Sequence, residues 1–223
     1  MSTKSSLTID LSLCVLTINQ GRLAVLAERN TTTNTWAFPG CVIAGPTPCD
    51  SVAESLLAVH ETQHGTTFLE QLRTYGPITA RDSTLVVTVA YVALAADLHT
   101  KFQSSATRVF ALDDLAGSGF LAEDQERILA DGVERVRAKL EYTTAATSLV
   151  VEPFTIPELR RVYESVWGVP LHPANFRRKV LTTAGFVERV SNVDNERGPE
   201  LYRRGIASLL HPAMLRPTET TNN

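Results

Sequence analysis

Three short runs in this sequence carry residue types at spacings that could do chemistry. The first is His60-Glu61-Thr62-Gln63-His64. Two histidines four apart lie on one face of a helix and can share a zinc ion, with the glutamate between them as base. A catalytic zinc also takes a third protein ligand. Gly65 ends the run, and Glu70, Asp97 and His99 follow at no supporting spacing. The simpler expectation is a His60 half-buried against a sheet and a His64 exposed near a helix end. A zinc metallohydrolase using His60-Glu61-x-x-His64 stands as an alternative.

The second run encloses the first, from Trp36 to Gly65. A strand-like Trp36-Ala37-Phe38 meets a Pro39-Gly40 turn. A loop with Gly45, Pro46 and Pro48 leads to a helix that Asp50 or Ser51 can cap and Gly65 can stop. Leu56, Leu57 and His60 share one side, flanked by Val52 and Val59, so the helix packs on something apolar. This layout resembles the Nudix box, a glycine loop followed by a helix whose glutamates hold the magnesium ions of Nudix hydrolases. Counting back from Gly65, the Arg-Glu pair of the box falls on Ala58 and Val59 and its Glu-Glu pair on Thr62 and Gln63. Magnesium takes hard, usually anionic oxygen ligands, which these four residues do not offer. Glu54 and Glu61 are the helix's remaining carboxylates, and neither matches a box position. The expectation is a Nudix-type fold without Nudix catalysis, with a residual hydrolase as the second alternative.

The third run is Asn175-Phe176-Arg177-Arg178-Lys179. Asparagine can pair with adenine, arginine with guanine, and arginine or lysine with phosphate. Phe176, Val180 and Leu181 are spaced to anchor such a helix to its own core. Thr155-x-x-Glu158 opens the preceding helix with a capping box. Ile156, Leu159, Val162, Tyr163, Val166 and Trp167 form its apolar side, and Gly168 closes it. Pro173 suits the first turn of the next helix, expected over 173–183 and ending at Gly185. Helix, short turn and basic helix is the helix-turn-helix order, in which the second helix enters the major groove. Phe186 to Val190 and Leu201 to Arg204 then flank a polar tip containing Arg197, the pattern of a wing.

Behind these runs the elements follow in order. Leu7–Ile18 and Leu23–Ala27 read as a hairpin across a Gln20-Gly21 turn. Residues 66–84 read as mixed, with a polar turn at Arg81-Asp82-Ser83. Leu85–Ala95 is apolar throughout and so should be a central strand. Val109–Leu112 leads into Asp113-Asp114-Leu115. Ala122–Leu140 is a long helix with Ile128, Leu129, Val133, Val136 and Leu140 on one stripe, and Arg127, Arg135, Arg137 and Lys139 expected in solvent. Gly132 on that helix suggests close packing against a neighbour such as a second subunit. Leu140–Leu149 reads as a further helix. Strands flanked by helices on both sides make an α/β sandwich.

The totals suit a water-soluble protein: 223 residues, 43% hydrophobic, 20% charged, net charge −3. No apolar run reaches membrane-spanning length, and no secretory leader is read at the start, so cytoplasm is expected. Cys14, Cys41 and Cys49 fit neither a disulfide framework nor a cysteine zinc site. Residues 1–151 carry 11 Lys and Arg against 16 Asp and Glu, whereas residues 152–223 carry 10 against 8. The basic balance of the second part suits a nucleic-acid-facing module.

The eroded box and the winged helix together resemble the Nudix-related transcriptional regulators of NAD metabolism, the NrtR type. The resemblance is strongest over residues 137–144, Phe154-Thr-x-x-Glu-Leu-Arg160, Val162-Tyr-Glu164 and residues 175–179. It implies a Nudix-like α/β/α sandwich followed by a C-terminal winged helix-turn-helix. The expected division is 1–140 for effector sensing and dimerisation, 141–210 for DNA binding, and a disordered tail over 211–223. It implies a non-enzymatic regulator, expected to be a repressor of NAD biosynthesis or salvage genes. Such a protein is a homodimer on a palindromic double-stranded operator, needs no cofactor, and is released by ADP-ribose or a related nucleotide. Asn175, Arg177, Arg178, Lys179, His172 and Arg197 are the expected DNA contacts. Trp36, Phe38 and Gly40, with the box helix, are the expected border of the effector cleft. No catalytic or metal-binding residue is expected.

Overall fold

The computed structural model of the chain describes residues 6–30, 35–60, 68–79, 84–98, 106–115, 121, 123–190 and 198–217. A seven-stranded sheet is built on β1 (Leu7–Asn19) and β6 (Leu85–Leu94). These two run parallel in unbroken register from Leu7↔Leu85 to Leu16↔Leu94. β2 (Arg22–Arg29) folds back on β1 through Gln20 and Gly21, both at positive φ (50° and 76°). That is the two-residue turn that suits the twist of a hairpin. β3 (Trp36–Ala37) pairs with β2, and β4 (Gly40–Val42) pairs with β1. β5 (Phe68–Thr79) lies beside β6, and β7 (Thr107–Ala111) beside β2. The Leu85 run is central, as its unbroken apolarity predicts. β5 occupies the span read as mixed. Its pairing with β6 shifts register between Gln71 and Arg73 and between Tyr75 and Ile78, and such bulges break the alternation that reveals a strand.

Because strand side chains alternate, the sheet feeds two separate cores. Leu13, Val15, Leu26 and Tyr91 face α1 (Cys49–His60), which buries Ala53, Leu57 and His60 against them. Cys14, Leu16, Val25 and Val92 face the long helix α3 (Glu123–Tyr142), which lies beyond a single turn, α2 (Leu112–Leu115). Burial in that second core pushes the Cys14 thiol pKa up to about 12, so it behaves as an apolar side chain. Ile128, Val133, Val136 and Leu140 of α3 are buried as the stripe predicts.

The rest of α3 departs from expectation. Arg135 and Lys139 are not simply solvated: both pair with Glu70 of β5, Lys139 at 2.5 Å, and Arg135 also donates to the Leu72 carbonyl at 3.1 Å. Gly132 meets its own sheet, not a second subunit. A Cβ there would lie 3.5 Å from Cys14 Sγ and 3.8 Å from Leu72 and Val92. At α1, Asp50 accepts a hydrogen bond from the Tyr91 hydroxyl instead of capping the helix, which begins one residue earlier at Cys49.

The second unit begins where α3 ends. The helix read over 140–149 is in fact the last turn of α3 followed by a buried 3-10 turn, Thr144–Leu149. Thr143 separates them: its hydroxyl donates to the Lys139 carbonyl (2.7 Å) and accepts from the Ala145 amide (3.3 Å), a local bonding pattern that competes with helix continuation. α4 (Ile156–Trp167) and α5 (Pro173–Thr182) follow, then a hairpin of β8 (Val187–Val190) and β9 (Leu201–Arg204). Phe154 joins β9 by a pair of backbone hydrogen bonds with Tyr202, at 2.8 and 2.7 Å, an isolated bridge beside the hairpin that was not foreseen. The expected tail is not loose over 211–217. Met214 is 3% exposed, the Leu210 and Met214 amides donate to carbonyls of Tyr142 and Glu141, and Arg216 reaches the Trp167 carbonyl. Residues 218–223 lie outside the described residues.

Two outcomes follow for stability. Gly132→Ala should raise thermal stability by up to about 1 kcal/mol, because it removes a helix-interior glycine and makes ordinary contacts. Gly40→Ala should lower it, since its Cβ would fall 2.4 Å from the Leu11 carbonyl oxygen. Parallel melting curves check both, and equal melting temperatures for the two variants would contradict the packing described. Separately, Met214→Ala should cost about 2–5 kcal/mol in chemical denaturation; a loss under about 0.5 kcal/mol would mean that the C-terminal segment is not part of the core.

Candidate nucleic-acid interface

The turn between α4 and α5 is held by side chains of α4. Thr155 and Glu158 form the predicted capping box, with the Thr155 amide donating to Glu158 Oε2 at 2.7 Å and the Glu158 amide to Thr155 Oγ1 at 3.3 Å. Gly168 closes α4 in the left-handed conformation (φ 71°). Beyond it the Leu171 amide donates to Glu164 Oε1 (2.8 Å) and Arg160 donates to the Leu171 carbonyl (3.0 Å). Both groups come from one helix, so the Val169-Pro170-Leu171 connection is set relative to α4. Tyr163 then fixes α5, its ring packing edge-on against Trp167 (4.8 Å) and Phe176 (5.3 Å).

α5 starts with Pro173 after His172, which has helix-entry geometry but makes no side-chain cap. Phe176 and Val180 point into the core. Leu181, expected with them, is 42% exposed: five residues after Phe176 the helix has turned through about 500°, carrying it well off the buried face. The outward face therefore holds Ala174, Asn175, Arg178 and Leu181, with His172 exposed at its start. Of the expected contacts, Asn175 and Arg178 lie here. Lys179 is turned aside, its Nζ donating to the Ala213 carbonyl at 3.2 Å. Arg177 leans toward the hairpin and donates from Nη2 to Glu200 Oε2 at 2.6 Å. Hydrogen bonding to that carboxylate raises the Arg177 pKa, and the same bond lowers that of Glu200. Arg197 lies outside the described residues. Leu181 and Ala174 were missed as outward residues; helical angles measured from Phe176 could have found them.

Among the described residues, Trp36 and Phe38 do not face the box helix across one cleft. Trp36 and Phe38 lie on the α3 side of the sheet, while the box helix α1 covers the other. Trp36 stacks edge-on against Phe110 (4.9 Å) beneath the guanidiniums of Arg29 and Arg108, each 6.0 Å from its ring. Phe38 is buried in the α3 core, its amide donating to Gln125 Oε1 at 2.7 Å. Gly40 serves the close approach of β4 to β1. Arg29 and Arg108 were not foreseen, because strand pairing between β2 and β7 brings them together. On α1, Ala58 and Val59 are exposed and His60 is buried, its Nε2 lying 3.2 Å from Glu28 Oε1. Glu61 and His64 lie outside the described residues. A cavity of about 760 Å³ opens where the two units meet, between the Gly21-Arg22 turn, Arg137 of α3, Arg161 and Ser165 of α4, and Gly168 just past its end.

The fold has counterparts among known proteins. Residues 146–204 match the family model of the NrtR DNA-binding winged helix domain. The chain is 26% identical over 209 residues to the ADPR responsive transcriptional repressor NtrR of Acinetobacter baylyi, covering 88% of this chain and 81% of that one. In fold it is similar to the crystal structure of Shewanella oneidensis NrtR, with a TM-score of 0.73 at 23% identity over 91% of this chain and 100% of that one. The same protein in complex with a 27mer DNA gives 0.72 at 24% identity, over 95% and 99%. A MutT/nudix family protein of Enterococcus faecalis gives 0.65 at 19% identity, over 92% and 88%. Residues 146–204 thus match the NrtR winged helix domain, and the chain as a whole has the fold of the NrtR structures, a Nudix-like α/β domain followed by a winged helix.

Proposed function

We propose that this protein is a DNA-binding transcriptional repressor of genes of NAD biosynthesis or salvage, released from its operator by ADP-ribose or a closely related nucleotide. The observation that carries the reading is the outward face of α5. Asn175 and Arg178 stand exposed on a helix whose opposite side, Phe176 and Val180, is fixed in the core. A helix held so firmly can present an adenine-pairing and a guanine-pairing side chain to a major groove without losing much freedom on binding. Support also comes from the relatives: the Acinetobacter protein is named as an ADPR responsive repressor, and the Shewanella protein has been crystallised with a 27mer DNA.

In this reading two copies pair, and their two α5 helices enter successive major grooves of a palindromic site. The Nudix-like domain senses and does not hydrolyse, since the box positions read from Gly65 carry Ala58, Val59, Thr62 and Gln63. The nucleotide acts by preferring a conformation with the wrong helix spacing. Almost complete release requires it to favour that conformation by about 5.5 kcal/mol. Residues 1–140 do the sensing and pairing, residues 141–210 the DNA binding, and the protein works in the cytoplasm.

The test starts from genomic fragments captured by the purified protein, with affinity then read by fluorescence anisotropy. Arg178→Ala should weaken binding by roughly fivefold to 150-fold, the range of one lost base contact of about 1–3 kcal/mol. Lys179→Ala should have the smaller effect, because its ammonium faces Ala213. Equal affinity of wild type and Arg178→Ala, or no preference of the wild type over a scrambled duplex, would overturn the assignment.

A further inference from the structure

The interface described above contains an anion. Glu200 stands just before β9, at the loop end of the hairpin ladder, in contact with Arg177 of α5, and both of its oxygens are engaged. Oε2 accepts from Arg177 Nη2 at 2.6 Å and from the Tyr202 hydroxyl at 3.2 Å, and Oε1 lies 3.3 Å from Arg189 Nη2. One guanidinium comes from α5 and the other from β8, so a single carboxylate bridges helix and hairpin.

This cluster has little structural work to do. The side chains of Arg177, Arg189 and Glu200 are 49%, 68% and 36% exposed, and ion pairs so open to water contribute little to stability. The hairpin is already fixed by the Phe154–Tyr202 backbone pair and by the β8–β9 ladder. What the carboxylate does is electrostatic. It occupies guanidinium donors that would otherwise meet phosphate, and it lowers the local charge of the pair from two to one. In the DNA-binding reading a duplex seated on α5 would bring phosphates close to this groove between helix and hairpin, where carboxylate and phosphate would compete for the same fork of N–H donors.

We propose that Glu200 is a built-in competitor of the DNA backbone, withholding guanidinium charge of Arg177 and Arg189 from phosphate in the complex and thereby setting the electrostatic part of the affinity. The role rests on the DNA-binding reading. It leaves Asn175 and Arg178, the base-facing residues, untouched, so it acts on any duplex whatever its sequence. Each additional phosphate neutralised steepens the fall of log affinity with log salt by about 0.9, and freeing the pair should change both affinity and slope.

The experiment measures binding of the full chain to a mixed-sequence duplex and to a captured genomic fragment across a salt series. Wild type, Glu200→Gln, Arg178→Ala and the double variant Glu200→Gln/Arg177→Ala are compared. Glutamine keeps an acceptor for Tyr202 while removing the charge, and unchanged melting curves confirm the fold; Glu200→Ala is the second probe should glutamine disturb it. Expected are about threefold to tenfold tighter binding of Glu200→Gln to both duplexes near 0.1 M salt, with a slope steeper by about one. The double variant should lose most of that gain. If wild type binds, Arg178→Ala weakens the captured fragment, and Glu200→Gln equals or falls below wild type, the competitor role is overturned and Glu200 instead positions Arg177. If wild type binds neither duplex, the DNA-binding reading itself fails, and the inference with it.

Discussion

The structure depends on the C-terminal half of α3, which is packed on two sides at once. One side presses Val133, Val136 and Leu140 into the sheet core, and the other receives α4. The seam is closed by reciprocal hydrogen bonds: Arg137 Nε donates to the Val166 carbonyl at 2.9 Å, and Trp167 Nε1 donates to the Arg137 carbonyl at 3.2 Å. Tyr163, fully buried, adds a third bond from its hydroxyl to the Leu140 carbonyl at 3.2 Å. Polar groups buried in such a seam must stay paired or lose on the order of 1–3 kcal/mol each, so α4 cannot slide along α3 without breaking several bonds together. The apolar core is correspondingly continuous from the sheet into the winged helix.

From that seam the chemistry of the far end follows. α4 holds the turn through Arg160 and Glu164 and anchors α5 through Tyr163. The C-terminal segment returns from the hairpin to the end of α3, binding Glu141 and Tyr142 on the way and touching Lys179. The orientation of Arg178 is thus tied to the Nudix-like domain by two routes, one through α4 and one through residues 210–216. The Ser165 hydroxyl donates to the Gly21 carbonyl at 2.7 Å, so the β1–β2 turn also touches α4 at the edge of the junction cavity. The junction cavity is thus linked to α5 by packed and hydrogen-bonded elements.

The sequence was most informative where local chemistry decides the outcome. The capping box at Thr155, the left-handed stop at Gly168, the Gln20-Gly21 hairpin and the central Leu85 strand all depend on residues within a few positions of each other. The NrtR-type arrangement of the two units was legible for the same reason, because its motifs are contiguous. Features set by distant contacts were not. Gly132 faces Cys14, Leu72 and Val92, three residues from three different strands. Arg29 and Arg108 converge on Trp36 only because β2 pairs with both β3 and β7. The ordered stretch 211–217 looked like a tail because Met214 is isolated in sequence, and its burial depends on the end of α3 some 70 residues earlier. Bulges concealed β5 in the same way, by shifting the alternation that sequence reading relies on.

The central claim is that one chain couples an NrtR-type DNA-binding surface to a nucleotide-sensing Nudix-like domain. The most direct measurement is the affinity of the full chain for a captured genomic operator as ADP-ribose is added at fixed salt. A progressive loss of affinity that saturates with ADP-ribose, and is not produced by AMP or ribose 5-phosphate alone, is the predicted result. An operator affinity that stays constant up to millimolar ADP-ribose would contradict the coupling.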